Sequence, residues 1–266
     1  MVVKYLRVSS LEEAGRALSA DPRARILAGG TQILSSEYRD QEIVAVDASD
    51  VLPRGVERTP EGLARIGSMV TFQDLVDSPK VPRVLAQAAR GMGNRNIRNA
   101  ATVGGNIGAN RSCSSLMPVF LAMEARFRIH GRAEVLPAAE WMAEPSGVIT
   151  WIEMPRVPGL RAAYARWSRT ACDISVLTCA AAYRLDAGTV RDLRFACGGL
   201  DSTSRRFPEL EKLFEGRPLP DRDEAAAAVM PLLRPVADIR GGAAFKRLRA
   251  AELAAEALIA ALEDAP

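Results

Sequence analysis

N-R-N-I-R-N-A-A-T-V-G-G-N-I-G-A-N, Asn94 to Asn110, sets Gly104 and Gly105 side by side behind two cations, Arg95 and Arg98. Adjacent glycines let a backbone take positive φ and let a ligand approach main-chain atoms that any Cβ would shield. Successive amide N–H groups in such a turn converge into a nest for an anionic oxygen. Thr102, Asn106 and Asn110 add neutral hydrogen-bonding groups. The stretch reads as the holder of a phosphate-bearing ligand, gripped largely by backbone. The plain alternative is a Gly-Gly turn between strands. Gly91 and Gly93 end a predicted helix over Val84 to Arg90, so the arginines and asparagines that follow are expected in a loop.

A second glycine pair lies upstream. Arg25 to Ala28 reads as a short buried strand running into Gly29-Gly30-Thr31-Gln32, ahead of the apolar pair Ile33 and Leu34. Strand, glycine turn and hydroxyl residue form another candidate anion nest. Neither G-x-G-x-x-G nor G-x-x-x-x-G-K-[ST] occurs, which removes the Rossmann fingerprint and the P-loop. Two nests about 75 residues apart suggest one diphosphate gripped from two sides.

Composition narrows the function classes. The chain has 266 residues, 48% hydrophobic and 25% charged, as in a folded globular protein. A net charge of +3, from 35 basic and 32 acidic residues, is no argument for nucleic acid. No apolar run reaches the ~18 residues of a membrane span, and no signal-peptide core follows Met1, so a cytoplasmic location is expected. Cys113, Cys172, Cys179 and Cys197 form no C-x-x-C pair, which argues against a zinc or iron–sulfur site built by this chain alone. The single histidine, His130, has no triad in its neighbourhood and reads as structural or exposed.

Along the chain, a strand over Val2 to Val8, a helix to Leu18, a strand before Gly29 and another over Ile43 to Asp47 make a small α/β lobe. Turn-rich Pro53 to Gly55 and Thr59 to Gly62 lead to a second lobe, in which Thr71 caps a helix beginning near Phe72. Strands are predicted at Phe127 to Ile129 and Val148 to Met154. From Leu160 the texture changes. Strands at Tyr164 to Arg169 and Ser175 to Leu185, a turn at Asp186 to Gly188 and a returning strand at Val190 to Cys197 precede helices at Pro208 to Phe214 and Glu224 to Leu233. A last helix, Ala243 to Leu262, carries Phe245, Leu248, Ala255, Leu258, Ile259 and Leu262 close to one face. The expected fold class is α+β.

A-G-G-T-Q-I-L at Ala28 to Leu34 and I-R-N-A-A-T-V-G-G-N-I at Ile97 to Ile107 resemble the FAD-binding medium subunit of the molybdenum hydroxylases, the xanthine dehydrogenase and carbon monoxide dehydrogenase group. Arg169 with Asp173-Ile174, in an R-x-x-x-D-I pattern, and Ala237 to Gly242 with Phe245-Lys246-Arg247 continue the resemblance, in order, over nearly the whole chain. It implies a two-lobed FAD-binding domain of the PCMH, vanillyl-alcohol-oxidase-like type over residues 1–159, with lobes of about 1–55 and 56–159, then a carbon monoxide dehydrogenase flavoprotein-like C-terminal domain over 160–266. It further implies an oxidoreductase subunit that passes electrons from a 2Fe-2S small subunit, supplied by a molybdopterin-binding large subunit, to FAD and on to NAD or another acceptor.

The cofactor contacts implied are Ala28, Gly29, Gly30, Thr31, Gln32, Thr102, Gly104, Gly105 and Asn106, with Arg98, Asn99, Ser115 and Asp173 as further candidates. Arg98 and Asn99 read equally as loop struts, and Asp173 as an ion-pair partner of Arg166 or Arg169. One departure stands out. The family carries an Asp that binds the sugar part of FAD where this chain has Ser115, and Arg111 adds a positive charge nearby. A subunit that keeps the fold for assembly but has lost tight FAD binding is one alternative. A stand-alone flavin oxidoreductase is another, although it requires a proton donor that the sequence does not display.

Overall fold

The computed structural model describes residues 1–263, and among these, twelve strands form three sheets. The first lobe is a three-stranded parallel sheet, β1 (Val2–Arg7), β2 (Ala24–Leu27) and β3 (Ile43–Asp47), in the order β1-β3-β2 with α1 (Leu11–Ala20) between β1 and β2. Ser10 caps α1 by accepting from the Glu13 amide, as the Ser-Ser-x-Glu-Glu spelling leads one to expect. β3 is central and apolar, with Ile43 to Val46 all buried, because successive side chains point to opposite faces and both faces of this strand are covered.

The second lobe carries β4 (Val56–Arg58), β5 (Ala64–Gly67), α2 (Phe72–Asp77), α3 (Arg83–Arg90), α4 (Arg95–Ala100), α5 (Val103–Ala109), α6 (Met117–Ala122), β6 (Arg126–Ile129), β7 (Val135–Pro137), α7 (Ala138–Ala143) and β8 (Ile149–Met154). Its sheet is antiparallel, ordered β4-β5-β8-β6-β7. Phe127 is fully buried, edge-on to both Phe120 and Trp141 at 5.8 and 5.7 Å between ring centroids, a geometry that suits the ring quadrupoles. Thr71 caps α2 in a reciprocal box with Asp74, and Pro118 is accommodated in the first turn of α6.

The C-terminal unit is β9 (Arg161–Trp167), β10 (Leu177–Asp186), β11 (Thr189–Gly198), β12 (Arg205–Arg206), α8 (Pro208–Phe214), α9 (Arg222–Val229) and α10 (Ala243–Glu263). The turn between β10 and β11 places Ala187 and Gly188 in the left-handed region, at φ of 46° and 82°, as a two-residue hairpin requires. Side chains alternate across this sheet. Ala163, Cys179, Ala181 and Tyr183 pack with α10, whereas Ala162, Ala180, Ala182 and Ala196 join the core of the second lobe. Small residues on that second face let the two cores lie close.

Two expectations are corrected. The signature stretch is not a loop. It folds into α4, with Asn94 accepting from the Ile97 amide, and α5, with Thr102 accepting from the Gly105 amide. The expected face of α10 is buried only in its later turns, at Ala255 and Leu258, and not at its start. Phe245 and Leu248 are 37% and 44% exposed, while Lys246 is 2% exposed and donates to the carbonyls of Gly199 and Val236. Among the described residues no helix is long and apolar enough to cross a membrane.

Candidate functional site: a cavity between two double-glycine bends

The first bend begins where β2 ends. Gly30 takes a φ of +71°, and the chain curls so that Leu34 N–H donates to Gly30 O and Ser35 N–H to Gln32 O, both at 3.0 Å. A β-carbon at Gly29 would stand 1.7 Å from the carbonyl oxygen of Ala100, at the end of α4, so only glycine permits this contact between the two lobes. The amides of Ala28, Gly29, Gly30, Thr31, Gln32 and Ile33 have no acceptor among the described residues. Leaving six successive N–H groups unpaired is costly unless water or a ligand accepts from them, and all six residues line the same cavity.

The second bend is built differently. Gly104 and Gly105 are helical, and their glycine character serves close approach rather than positive φ. A β-carbon on Gly104 would lie 2.6 Å from Ser68 Cβ, and one on Gly105 would lie 2.8 Å from Thr102 Oγ1. The amides here are already engaged. Val103 donates to Val70 O at 2.9 Å, Gly104 to Ser68 O at 2.8 Å, Gly105 to Thr102 Oγ1 at 3.1 Å and Asn106 to Thr102 O at 3.0 Å. The expected pair of opposed nests therefore reduces to one open nest, at residues 28–33, facing a packed wall of small residues. Asn106 Oδ1 accepts from Ser114 Oγ at 2.7 Å, which leaves its Nδ2 hydrogens to donate into the cavity.

Between the bends lies a cavity of about 670 Å³, within the size range of small-molecule and cofactor sites. The first lobe and its neighbours give it apolar walls, among them Leu18, Leu52, Trp141 and Val148. The C-terminal unit contributes Cys172, Asp173, Ile174 and Arg240.

Of the residues singled out in the sequence, Ala28, Gly29, Gly30, Thr31, Gln32, Thr102, Gly104, Gly105, Asn106, Ser115 and Asp173 all line the cavity. Arg98 and Asn99 stand outside its wall. The Arg98 guanidinium donates to Gln73 Oε1 at 3.1 Å and to the carbonyls of Arg90, Met92 and Gly93, holding the turn between α3 and α4, and Asn99 is exposed. Asp173 is engaged twice, its carboxylate by Arg169 Nε at 2.9 Å and its carbonyl by Arg166 Nη2 at 2.9 Å. Ser115 is 4% exposed.

Sequence reasoning missed Glu37, whose carboxylate accepts from Gln32 Nε2 at 2.8 Å and from Arg111 Nη2. Burial pushes the Glu37 carboxyl up, but these two donors bring it below the usual range and keep it ionised. Trp141 and Val148 were missed as well, since nothing local in sequence separates a wall residue from a core residue.

Residues 1–156 match the family described as the FAD binding domain in molybdopterin dehydrogenase, and residues 162–261 match the CO dehydrogenase flavoprotein C-terminal domain. The chain is 31% identical over 233 residues to a putative xanthine dehydrogenase FAD-binding subunit of Escherichia coli (strain K12), covering 81% of this chain and 80% of the relative. It is 28% identical over 277 residues to the nicotine 6-hydroxylase medium subunit of Paenarthrobacter nicotinovorans, covering 97% of both. Its fold is similar to that of a solved chain of carbon monoxide dehydrogenase from Hydrogenophaga pseudoflava, with a TM-score of 0.88 at 26% identity, over 99% of this chain and 98% of the other.

Proposed function

The chain belongs to the FAD-binding subunits of the molybdopterin dehydrogenases, and on that premise we propose that it is the electron-transfer medium subunit of a xanthine dehydrogenase-like complex working in the cytoplasm. The observation that carries this reading is the run of unpaired amides at Ala28 to Ile33, on residues that line a cavity of dinucleotide proportions beside the Gly29–Ala100 contact. Bound there, FAD supplies the hydride and single-electron chemistry, which asks of the protein no acid–base pair of its own.

The residues present fit that cofactor. Amides 28–33 would hold its diphosphate, with Thr102 and the Asn106 side-chain carboxamide as further polar contacts and the apolar lining residues against its rings. In such a complex the substrate site and the 2Fe-2S clusters would lie on partner chains, and this chain's part would be to hold the flavin that receives their electrons and passes them to NAD or another acceptor. Relatives whose names call them medium subunits support a division of labour among several chains.

Titration of the purified chain with FAD tests the reading. One equivalent is expected to bind, giving a yellow protein with flavin absorbance that survives desalting. Ser115, neutral where the resembled family has a carboxylate, favours one rival, an assembly subunit without flavin. A colourless chain that takes up no FAD establishes that rival instead.

A further inference from the structure

The segment between the first bend and β3, residues 31–42, contains only a short 3₁₀ turn, Ser36–Tyr38. Its polar ties run mostly to its own lobe. The Met1 amine donates to Tyr38 O at 2.7 Å and Arg39 O at 3.1 Å, and Arg23 Nη1 pairs with Glu42 at 2.6 Å. Among the described residues, one hydrogen-bonded contact joins the segment to the second lobe, and it is the ion pair of Glu37 with Arg111, 74 positions apart in sequence. Both residues line the cavity. The other oxygen of Glu37 accepts from Gln32, a member of the open nest.

From this geometry we infer that Glu37 and Arg111 form a clasp across the cofactor cavity, positioning residues that hold the nest's amides over the dinucleotide and govern how fast it leaves. The inference rests on the flavin reading above. Arg111 restrains Glu37, Glu37 restrains Gln32, and Gln32 is continuous with the amides of Gly30 and Thr31. With the clasp broken, nothing polar fastens this side of the nest to the opposite wall, and the cavity opens between the lobes. Arg111 is not spent on the diphosphate itself, because the Glu37 carboxylate already neutralises it. Both partners are partly exposed, so their bond is weak enough to break and re-form during exchange of the cofactor, and it weakens with salt.

The test is the rate of FAD release from the full chain, followed by the rise of free-flavin fluorescence after dilution, at low and high salt. Glu37→Gln and Arg111→Gln are each expected to release FAD about three- to fivefold faster at low salt, the range of a partly exposed ion pair, and to lose the native chain's salt dependence. The charge-swapped double variant, Glu37→Arg with Arg111→Glu, is expected to return within about twofold of the native rate, since Gln32 can turn its amide oxygen toward the new arginine. A merely structural role would move the melting temperature of the FAD-free chain without that rescue. Single variants that release FAD at the native rate, or a swapped variant that stays as fast as the singles, overturn the clasp while leaving the flavin reading intact. A native chain that takes up no FAD overturns both.

Discussion

Gly29→Ala is expected to bind FAD at least about 100-fold more weakly than the native chain. The added β-carbon would sit 1.7 Å from the Ala100 carbonyl oxygen, and both groups belong to backbone, so no side-chain rotation relieves the clash. Core overpacking that side chains can absorb costs about 1–3 kcal/mol, and this clash instead forces the lobes away from each other. Each ~1.4 kcal/mol is a factor of ten in affinity, which places the loss at two orders of magnitude or more. Gly15→Ala in α1 is the control, because a β-carbon there meets nothing within 4 Å and alanine is the better helix former. Fluorescence titration of FAD measures both. Native affinity in Gly29→Ala would mean that the close approach of Gly29 to Ala100 is not needed for the cofactor to bind.

The second large effect is on stability. Lys246→Ala is expected to lower the unfolding free energy by about 2–4 kcal/mol, from two carbonyls deprived of a buried donor and the lost packing of a buried stem. Lys246 is 2% exposed, and its ammonium group reaches Gly199 O at 3.0 Å, Val236 O at 3.1 Å and Asp238 Oδ2 at 2.9 Å. Removing it leaves the two carbonyls without that donor, leaves the Asp238 carboxylate to Arg240, whose amide donates to it at 2.8 Å, and opens a void under the first turn of α10. Urea denaturation monitored by circular dichroism gives the difference, and Lys246→Met, which keeps the stem but not the charge, separates volume from hydrogen bonding. A change below about 1 kcal/mol in both would contradict the account.

The same cluster sets an acid limit. Burial raises the Asp238 carboxyl, but bonds from Lys246 and the Arg240 amide bring it below its ordinary value. A depressed carboxylate contributes stability above its unfolded pKa, near about 4, and that contribution fades as pH falls through the lower folded value.

Much of the fold is legible because its signals are local. Ile43–Asp47 and Pro208–Phe214 fall where strand and helix are predicted, one from an apolar run and the other from a proline-led helical pattern. α4 and α5 read as loop because Gly and Asn are poor helix formers and both helices are short, six and seven residues. Their N-caps, Asn94 and Thr102, are in plain view, but a cap is persuasive only with an apolar stripe behind it, and here the stripe is just Val103 and Ile107. α10 misleads for the opposite reason. Its buried face is largely alanine, including Ala250, Ala254, Ala257 and Ala261, which gives no amphipathic contrast, while its one inward lysine answers carbonyls from Gly199 and Val236 that no local pattern reveals.

The site divides along the same line. Glycine pairs are conspicuous in a sequence, so the residues around both bends can be found there. Whether an amide is free depends on acceptors elsewhere in the chain, and Ser68 O and Val70 O occupy the second bend. Arg98, beside the signature glycines, is drawn instead to the carbonyls that end α3 and begin the next turn. Proximity in sequence to a binding motif does not place it in the cavity wall.

Whether residues 28–33 hold the diphosphate is decided by amide hydrogen exchange resolved to single residues, with and without FAD. The account predicts that Ala28 to Ile33, lacking acceptors, exchange rapidly in the FAD-free chain and become protected by about 100-fold or more when FAD binds, whereas Gly104 and Gly105 are already protected without it. Equal exchange at residues 28–33 in the two states, with FAD demonstrably bound, would show that the diphosphate is held somewhere else.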